Sequence, residues 1–361
     1  MKNIIYAFII ISLITAAACE TTKQQVKKTE NTGEQVIKDQ PADIKSDDKL
    51  SSDVNGKSGS TRGVLKAGNY KYEGDIRDGK PHGKGKLSIY DNNGNLTSTV
   101  EGEFENGKTR GEMQVTNYDK NGKVASRFTG TMKDGSYDKY DKGTLVTYDS
   151  KGNVTSSYTG AFRDNKPHGA GELTLYDSNG KIVSKYAGNF TNGQPDGAGV
   201  LYEYDNDGKL VRKTEGNFFE GRPSGKVTIS NYDSNGKLIS TITGEYRNGK
   251  IYGTATIITY DENGRKISEY TGEVVDGKPN GKGVLVTYDK DGKVLSKYTG
   301  DFKNGQPDGE GKLVVYDKDG KVKSEYTGTF KNGKFDGKGI LVEYNAKGKM
   351  ISKYEGSFKN G

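Results

Sequence analysis

KVLSKYTGDFKNGQPDGEGKLVVYDKDGK, residues 293–321, sets Val294, Ser296, Tyr298, Gly300 and Phe302 in alternation with Leu295, Lys297, Thr299 and Asp301. A period of two is that of a β-strand. Asn304-Gly305-Gln306-Pro307-Asp308-Gly309 then supplies a turn, Leu313 to Tyr316 resumes a strand, and Asp317-Lys318-Asp319-Gly320 supplies a second turn. The pattern recurs along the chain. Its glycine stands at Gly74, Gly102, Gly130, Gly160, Gly188, Gly216, Gly244, Gly272, Gly300, Gly328 and Gly356, 28 residues apart except for one interval of 30. A fixed period means stacked copies of one supersecondary unit. The sequence therefore predicts an all-β fold, an elongated single-sheet array of antiparallel β-hairpin repeats with period 28. Eleven long strands at the anchor glycines and ten returns make 21 strands.

Each second turn is preceded by tyrosine, from Tyr90 to Tyr344, and closed by glycine, from Gly94 to Gly348. Aspartate follows the tyrosine everywhere except at Asn345. An Asp side chain bonds its own backbone two residues on, and glycine accepts the left-handed conformation of tight turns, so this is turn chemistry. The short Asp-x-Asp-Gly strings lack the twelfth-position glutamate of a calcium loop. If the first turn is centred between Gly305 and Gln306, Phe302 lies opposite Gly309, Gly300 opposite Gly311 and Tyr298 opposite Leu313. Facing glycines then form a crease covered by aromatics. Tyr158, Tyr186, Tyr270, Tyr298, Tyr326, Phe302 and Phe330 run in stripes along it, as core packing or as a groove for a ligand.

Composition agrees with a thin, solvated β-structure: 30% hydrophobic residues, 52 glycines and a mean hydropathy of −0.86. The net charge of +7 arises from 55 basic and 48 acidic residues interspersed along the repeats. That is a mixed soluble surface, and no single-strand nucleic-acid reader is expected where acids neutralise every repeat. The N-terminus is a separate object. Met1, Lys2 and Asn3 precede an apolar run, Ile4 to Ala18, too short to span a bilayer. Ala16-Ala17-Ala18 then leads to Cys19, the only cysteine, which cannot form an internal disulfide. The boundaries read as an export signal over 1–18, a polar tether over 19–63, and an array of ten repeats plus a terminal half-repeat over 64–361.

The segment around Cys19 resembles a bacterial lipoprotein signal, with Ala16 where that class prefers leucine. The resemblance implies diacylglycerol modification of Cys19 and a membrane anchor; ordinary secretory cleavage would leave a secreted protein. YEGDIRDGKPHGKGKL (72–87) and YTGTFKNGKFDGKGIL (326–341) carry Tyr-x-Gly-x-Phe-x-x-Gly-x-x-x-Gly-x-Gly or close variants of it. This resembles the membrane occupation and recognition nexus (MORN) repeat and covers Tyr72 to Gly361. It implies scaffolding, dimerisation or membrane-associated linking. Three repeats depart from the pattern, replacing one paired glycine by Met113, Val227 or Ala255.

Catalysis needs unlike groups converging at one place, and the only histidines, His82 and His168, repeat the same Lys-Pro-His-Gly turn position. No catalytic residue, metal ligand or cofactor is called for. The expected function is an exported, lipid-anchored scaffold in the cell envelope that displays a β surface to an unidentified protein or glycan. Alternatives are a glycan or peptidoglycan binder using the Tyr/Phe stripes, and an antitoxin or immunity-like protein. The terminal strand also offers an edge for self-association.

Overall fold

The computed structural model describes residues 61–136 and 139–361. The signal segment, Cys19 and the tether as far as residue 60 lie outside the described residues. The chain forms two compact units, one ending at Gly208 and the other beginning at Lys209. The first contains β1 (Thr61–Ala67), β2 (Tyr70–Arg77), β3 (Lys80–Tyr90), β4 (Leu96–Glu105), β5 (Lys108–Tyr118), β6 (Val124–Met132), β7 (Tyr140–Tyr148), β8 (Val154–Arg163), β9 (Lys166–Tyr176), β10 (Ile182–Thr191) and β11 (Gln194–Tyr204). The second contains β12 (Leu210–Phe219), β13 (Arg222–Tyr232), β14 (Leu238–Arg247), β15 (Lys250–Tyr260), β16 (Lys266–Val275), β17 (Lys278–Tyr288), β18 (Val294–Lys303), β19 (Gln306–Tyr316), β20 (Val322–Lys331), β21 (Lys334–Tyr344) and β22 (Met350–Phe358). Within each unit every strand pairs antiparallel with the next, as in the hairpin meander expected from the period.

One strand was not anticipated. Thr61–Ala67 pairs with β2 with Gly63 opposite Gly74 and Leu65 opposite Tyr72. It has the register of a return strand, and it begins three residues inside the stretch assigned to the tether. In the 30-residue interval the first turn is longer, and Met132 and Tyr140 pair across it.

Two of the three pairings predicted for the hairpin hold. Gly300 faces Gly311 and Tyr298 faces Leu313, but Phe302 faces Pro307, not Gly309. Asn304 and Gly305, at φ 52° and 90°, form a two-residue turn that brings Lys303 opposite Gln306. The return strand absorbs the difference in a bulge at Asp308–Glu310, with Gly309 at φ 117°. Gly309 instead pairs with Phe330 of the following hairpin. Asp301 reaches across the bulge, accepting from the Glu310 N–H at 3.2 Å, and Asp75 does the same for Lys84 at 3.2 Å.

Both rims tie neighbouring repeats together. At the first turn, the Gly305 N–H donates to the Pro279 carbonyl one repeat earlier (2.9 Å), as Gly107 does to Pro81 and Gly333 to Pro307. At the second turn, Lys293 Nζ donates to the Lys318 carbonyl (3.0 Å) and Lys321 Nζ to that of Ala346 (2.9 Å). These bonds assign a purpose to the lysine that follows the turn glycine. Asp317 closes its own turn, Oδ1 accepting from the N–H groups of Asp319 and Lys321, both at 2.9 Å.

The backbone hydrogen bond from Lys321 holds the Asp317 carboxyl below the usual carboxylate range. Backbone bonding from Lys123, Lys181 and Lys237 does the same for Asp119, Asp177 and Asp233. A depressed carboxylate pKa stabilises the fold above its unfolded value of about 3.9, and that contribution disappears as pH falls through the lower folded values. Melting temperature should hold steady from pH 7 to 5 and fall below about pH 4. Asp317→Ala should melt lower than the native chain at pH 7, and the gap should close in acid.

Candidate functional site

The aromatic stripe is the first place to look for a ligand, and the structure closes it. Tyr158, Tyr186, Tyr270, Tyr298, Tyr326, Phe302 and Phe330 are all buried, none more than 3% exposed. They are core, so the groove reading of these seven residues is corrected. The physical reason lies in the glycine pair. A Cβ on Gly311 would stand 2.3 Å from the Tyr298 hydroxyl, and one on Gly300 would stand 2.5 Å from it. The tyrosine ring therefore lies flat on bare backbone, where two missing side chains leave room for it. Its hydroxyl donates to the Asp301 carbonyl at 2.9 Å, and Tyr158 and Tyr270 repeat the bond to Ala161 (2.8 Å) and Glu273 (2.6 Å). Burial pushes the Tyr158 phenol up to about 12 and those of Tyr270 and Tyr298 higher still, so these donors stay protonated.

Phenylalanines link the seats. Phe302 stands edge-on to Tyr298 (5.0 Å between centroids) and to Tyr270 of the preceding repeat (4.9 Å); Phe330 does the same with Tyr326 (5.1 Å) and Tyr298 (4.8 Å). Edge-to-face pairs of this kind add about 0.5–1.5 kcal/mol beyond burial. Where the pattern departs from paired glycines, the tyrosine is missing as well. Gly102, Gly216 and Gly244 face Met113, Val227 and Ala255, and the residues two before these glycines are Val100, Thr214 and Ile242. Met113, Val227 and Ala255 are buried in place of a ring.

The opposite face of the sheet is polar and at least partly exposed. Thr228 and Thr243 hydroxyls meet at 3.0 Å and those of Thr144 and Thr159 at 2.9 Å. Lys86 pairs with Glu101 (2.8 Å), Lys282 with Asp301 (2.7 Å) and Lys312 with Glu325 (3.2 Å). A shallow cleft of about 550 Å³ opens on this face over Glu73, Lys86, Glu101 and Arg110. Its charges alternate in sign, which suits a mixed polar surface rather than a dense anion or cation site. His82 and His168 sit far apart in sequence at equivalent points of β3 and β9, and the His168 ring is bonded to Arg163.

Six stretches match the family model MORN repeat: residues 72–94, 158–180, 186–207, 270–292, 298–319 and 326–342. The chain thus carries MORN repeats, and all six begin at a tyrosine seated on a glycine pair. The repeats that open with Val100, Phe128, Thr214 and Ile242 lie outside the matched stretches. No curated protein matches the chain. Among solved structures, the Photorhabdus luminescens Tc holotoxin pore (mutation TccC3-D651A) is 13% identical, covering 77% of this chain and 16% of that one, with a TM-score of 0.17. The Pseudomonas aeruginosa periplasmic gluconolactonase PpgL is 9% identical, covering 75% and 92%, with a TM-score of 0.15. Superpositions this poor leave the fold to be argued from the chain itself.

Proposed function

We propose that the chain is a non-enzymatic repeat scaffold, exported and anchored by lipid at Cys19, whose polar sheet face binds a protein partner in the cell envelope. The observation that carries the scaffold reading is the division of labour across the sheet. The tyrosine that opens each of the six matched repeats is spent on the core, while hydroxyls and ion pairs of mixed sign occupy the other face. Anchoring rests on Ala16-Ala17-Ala18-Cys19 at the end of an apolar run. Each buried acyl CH₂ contributes about 0.8 kcal/mol, so several chains on one residue hold a protein at a membrane.

The experiment is metabolic labelling with palmitate and fractionation of cells. The native chain should be labelled and sediment with membranes, and Cys19→Ser should be unlabelled and soluble. A native product that is soluble and unlabelled would remove the anchor and leave the scaffold reading standing without it.

A further inference from the structure

Within the second unit, the first-turn rim of the polar face carries an apolar island. Phe219, Tyr252 and Val275 are 59%, 43% and 48% exposed. Each follows a buried residue, Phe218, Ile251 or Val274, so strand alternation turns each of them away from the core. Elsewhere these positions are polar. Arg77, Arg163, Lys303 and Lys331 stand where Phe219 and Val275 do, and Asp196, Asp308 and Asp336 where Tyr252 does. Single exposed apolar side chains are ordinary on any surface, but these three line one rim. Tyr252 and Val275 face each other across β15 and β16, and Phe219 ends β12, three strands before β15. At about 4.8 Å per strand, Phe219 lies roughly 14 Å from Tyr252. Arg222 on β13, the cross-strand partner of Phe219, and Arg247 on β14 fill the interval. Neither arginine forms an ion pair among the described residues. The three turns, residues 219–222, 247–250 and 275–278, hold four basic residues to two acidic ones, and Asp276 is already taken by Lys250 at 2.7 Å.

We propose that this rim binds an extended, acidic segment of a partner protein, with apolar side chains at i and i+4 seated on Phe219 and on the Tyr252–Val275 pair, and a carboxylate at i+2 between Arg222 and Arg247. The spacing selects that pattern. An extended chain rises about 3.3 Å per residue and sets i, i+2 and i+4 on one face, so i to i+4 spans about 13 Å, close to the interval from Phe219 to Tyr252. The i+2 side chain then falls between the two arginines, whose guanidinium groups favour a carboxylate over any neutral acceptor. This site presupposes that the sheet face binds a protein partner, and it gives that contact a place and a chemistry.

The test uses the full chain in a Cys19→Ser background to select short random peptides displayed on phage. The unaltered rim should enrich peptides of the pattern apolar-x-acidic-x-apolar. A chain carrying Phe219→Ser, Tyr252→Ser and Val275→Ser together should bind those peptides at least tenfold more weakly, with an unchanged melting temperature because all three side chains are exposed. Arg222→Glu with Arg247→Glu should turn the preferred middle residue from acid to base. Peptides held equally by the unaltered rim and the triple variant would put the contact elsewhere on the sheet face and sink this site alone. A middle residue that stays acidic against the two glutamates would also overturn it, and a chain that enriches no peptide would remove the partner-binding reading together with the site.

Discussion

Gly311→Val should destabilise its repeat by about 3 kcal/mol, the upper end for overpacking, and Tyr298→Thr in the same chain should recover much of that loss. The Tyr298 ring occupies the space a side chain at 311 would enter, with hydroxyl and ring atoms 2.3–2.6 Å from the added Cβ. Neither can retreat far, because the ring lies on backbone and its hydroxyl is held by Asp301. Tyr298→Thr alone leaves a cavity and should cost about 3 kcal/mol. The pair together recreates what Thr214 and Val227 already do elsewhere in the chain. The double variant should therefore lose at least ~2 kcal/mol less than the sum of the single changes. Hydrogen exchange of the β18 and β19 amides measures this directly; additive losses would mean that ring and glycine do not share one space.

Phe330→Ala should cost about 3–5 kcal/mol, and the loss should spread over two repeats without reaching the rest of its unit. The ring touches Tyr298 on one side, Tyr326 on the other, and Phe335 at 5.5 Å. Its removal loosens both seats together. In a repeat array each unit contacts only its neighbours, so exchange should quicken in β18 to β21 and stay slow in β12 to β14. Uniform quickening throughout the unit would show that the unit opens as one body.

The reading of the sequence succeeded where a single local rule decides the outcome. Tyr298-x-Gly300 and Gly311-x-Leu313 mark a strand pair whose register follows from the glycines, and Asp317 with Gly320 marks a turn. It failed at Phe302, because the bulge at Asp308–Glu310 depends on Gly309 adopting φ 117° and on the Asp301 carboxylate bridging the gap. It missed β1 because no Tyr-x-Gly strand comes shortly before Gly63 in the sequence and Ala67-Gly68-Asn69-Tyr70 replaces the Tyr-Asp-x-x-Gly turn that would announce it. The buried role of Tyr298 could have been read: the tyrosine disappears wherever Met113, Val227 or Ala255 fills the glycine's place. That correlation lies within the chain itself, at a separation of 13 residues, as from Val100 to Met113.

The bond from Gly305 N–H to the Pro279 carbonyl gives the array an order of assembly. A newly made repeat leaving the ribosome meets an acceptor that its predecessor has already positioned. Growth can then proceed one copy at a time behind the emerging chain. A product cut short from its carboxyl end keeps every dock it has used, whereas removal of an earlier copy strips the next of its foothold.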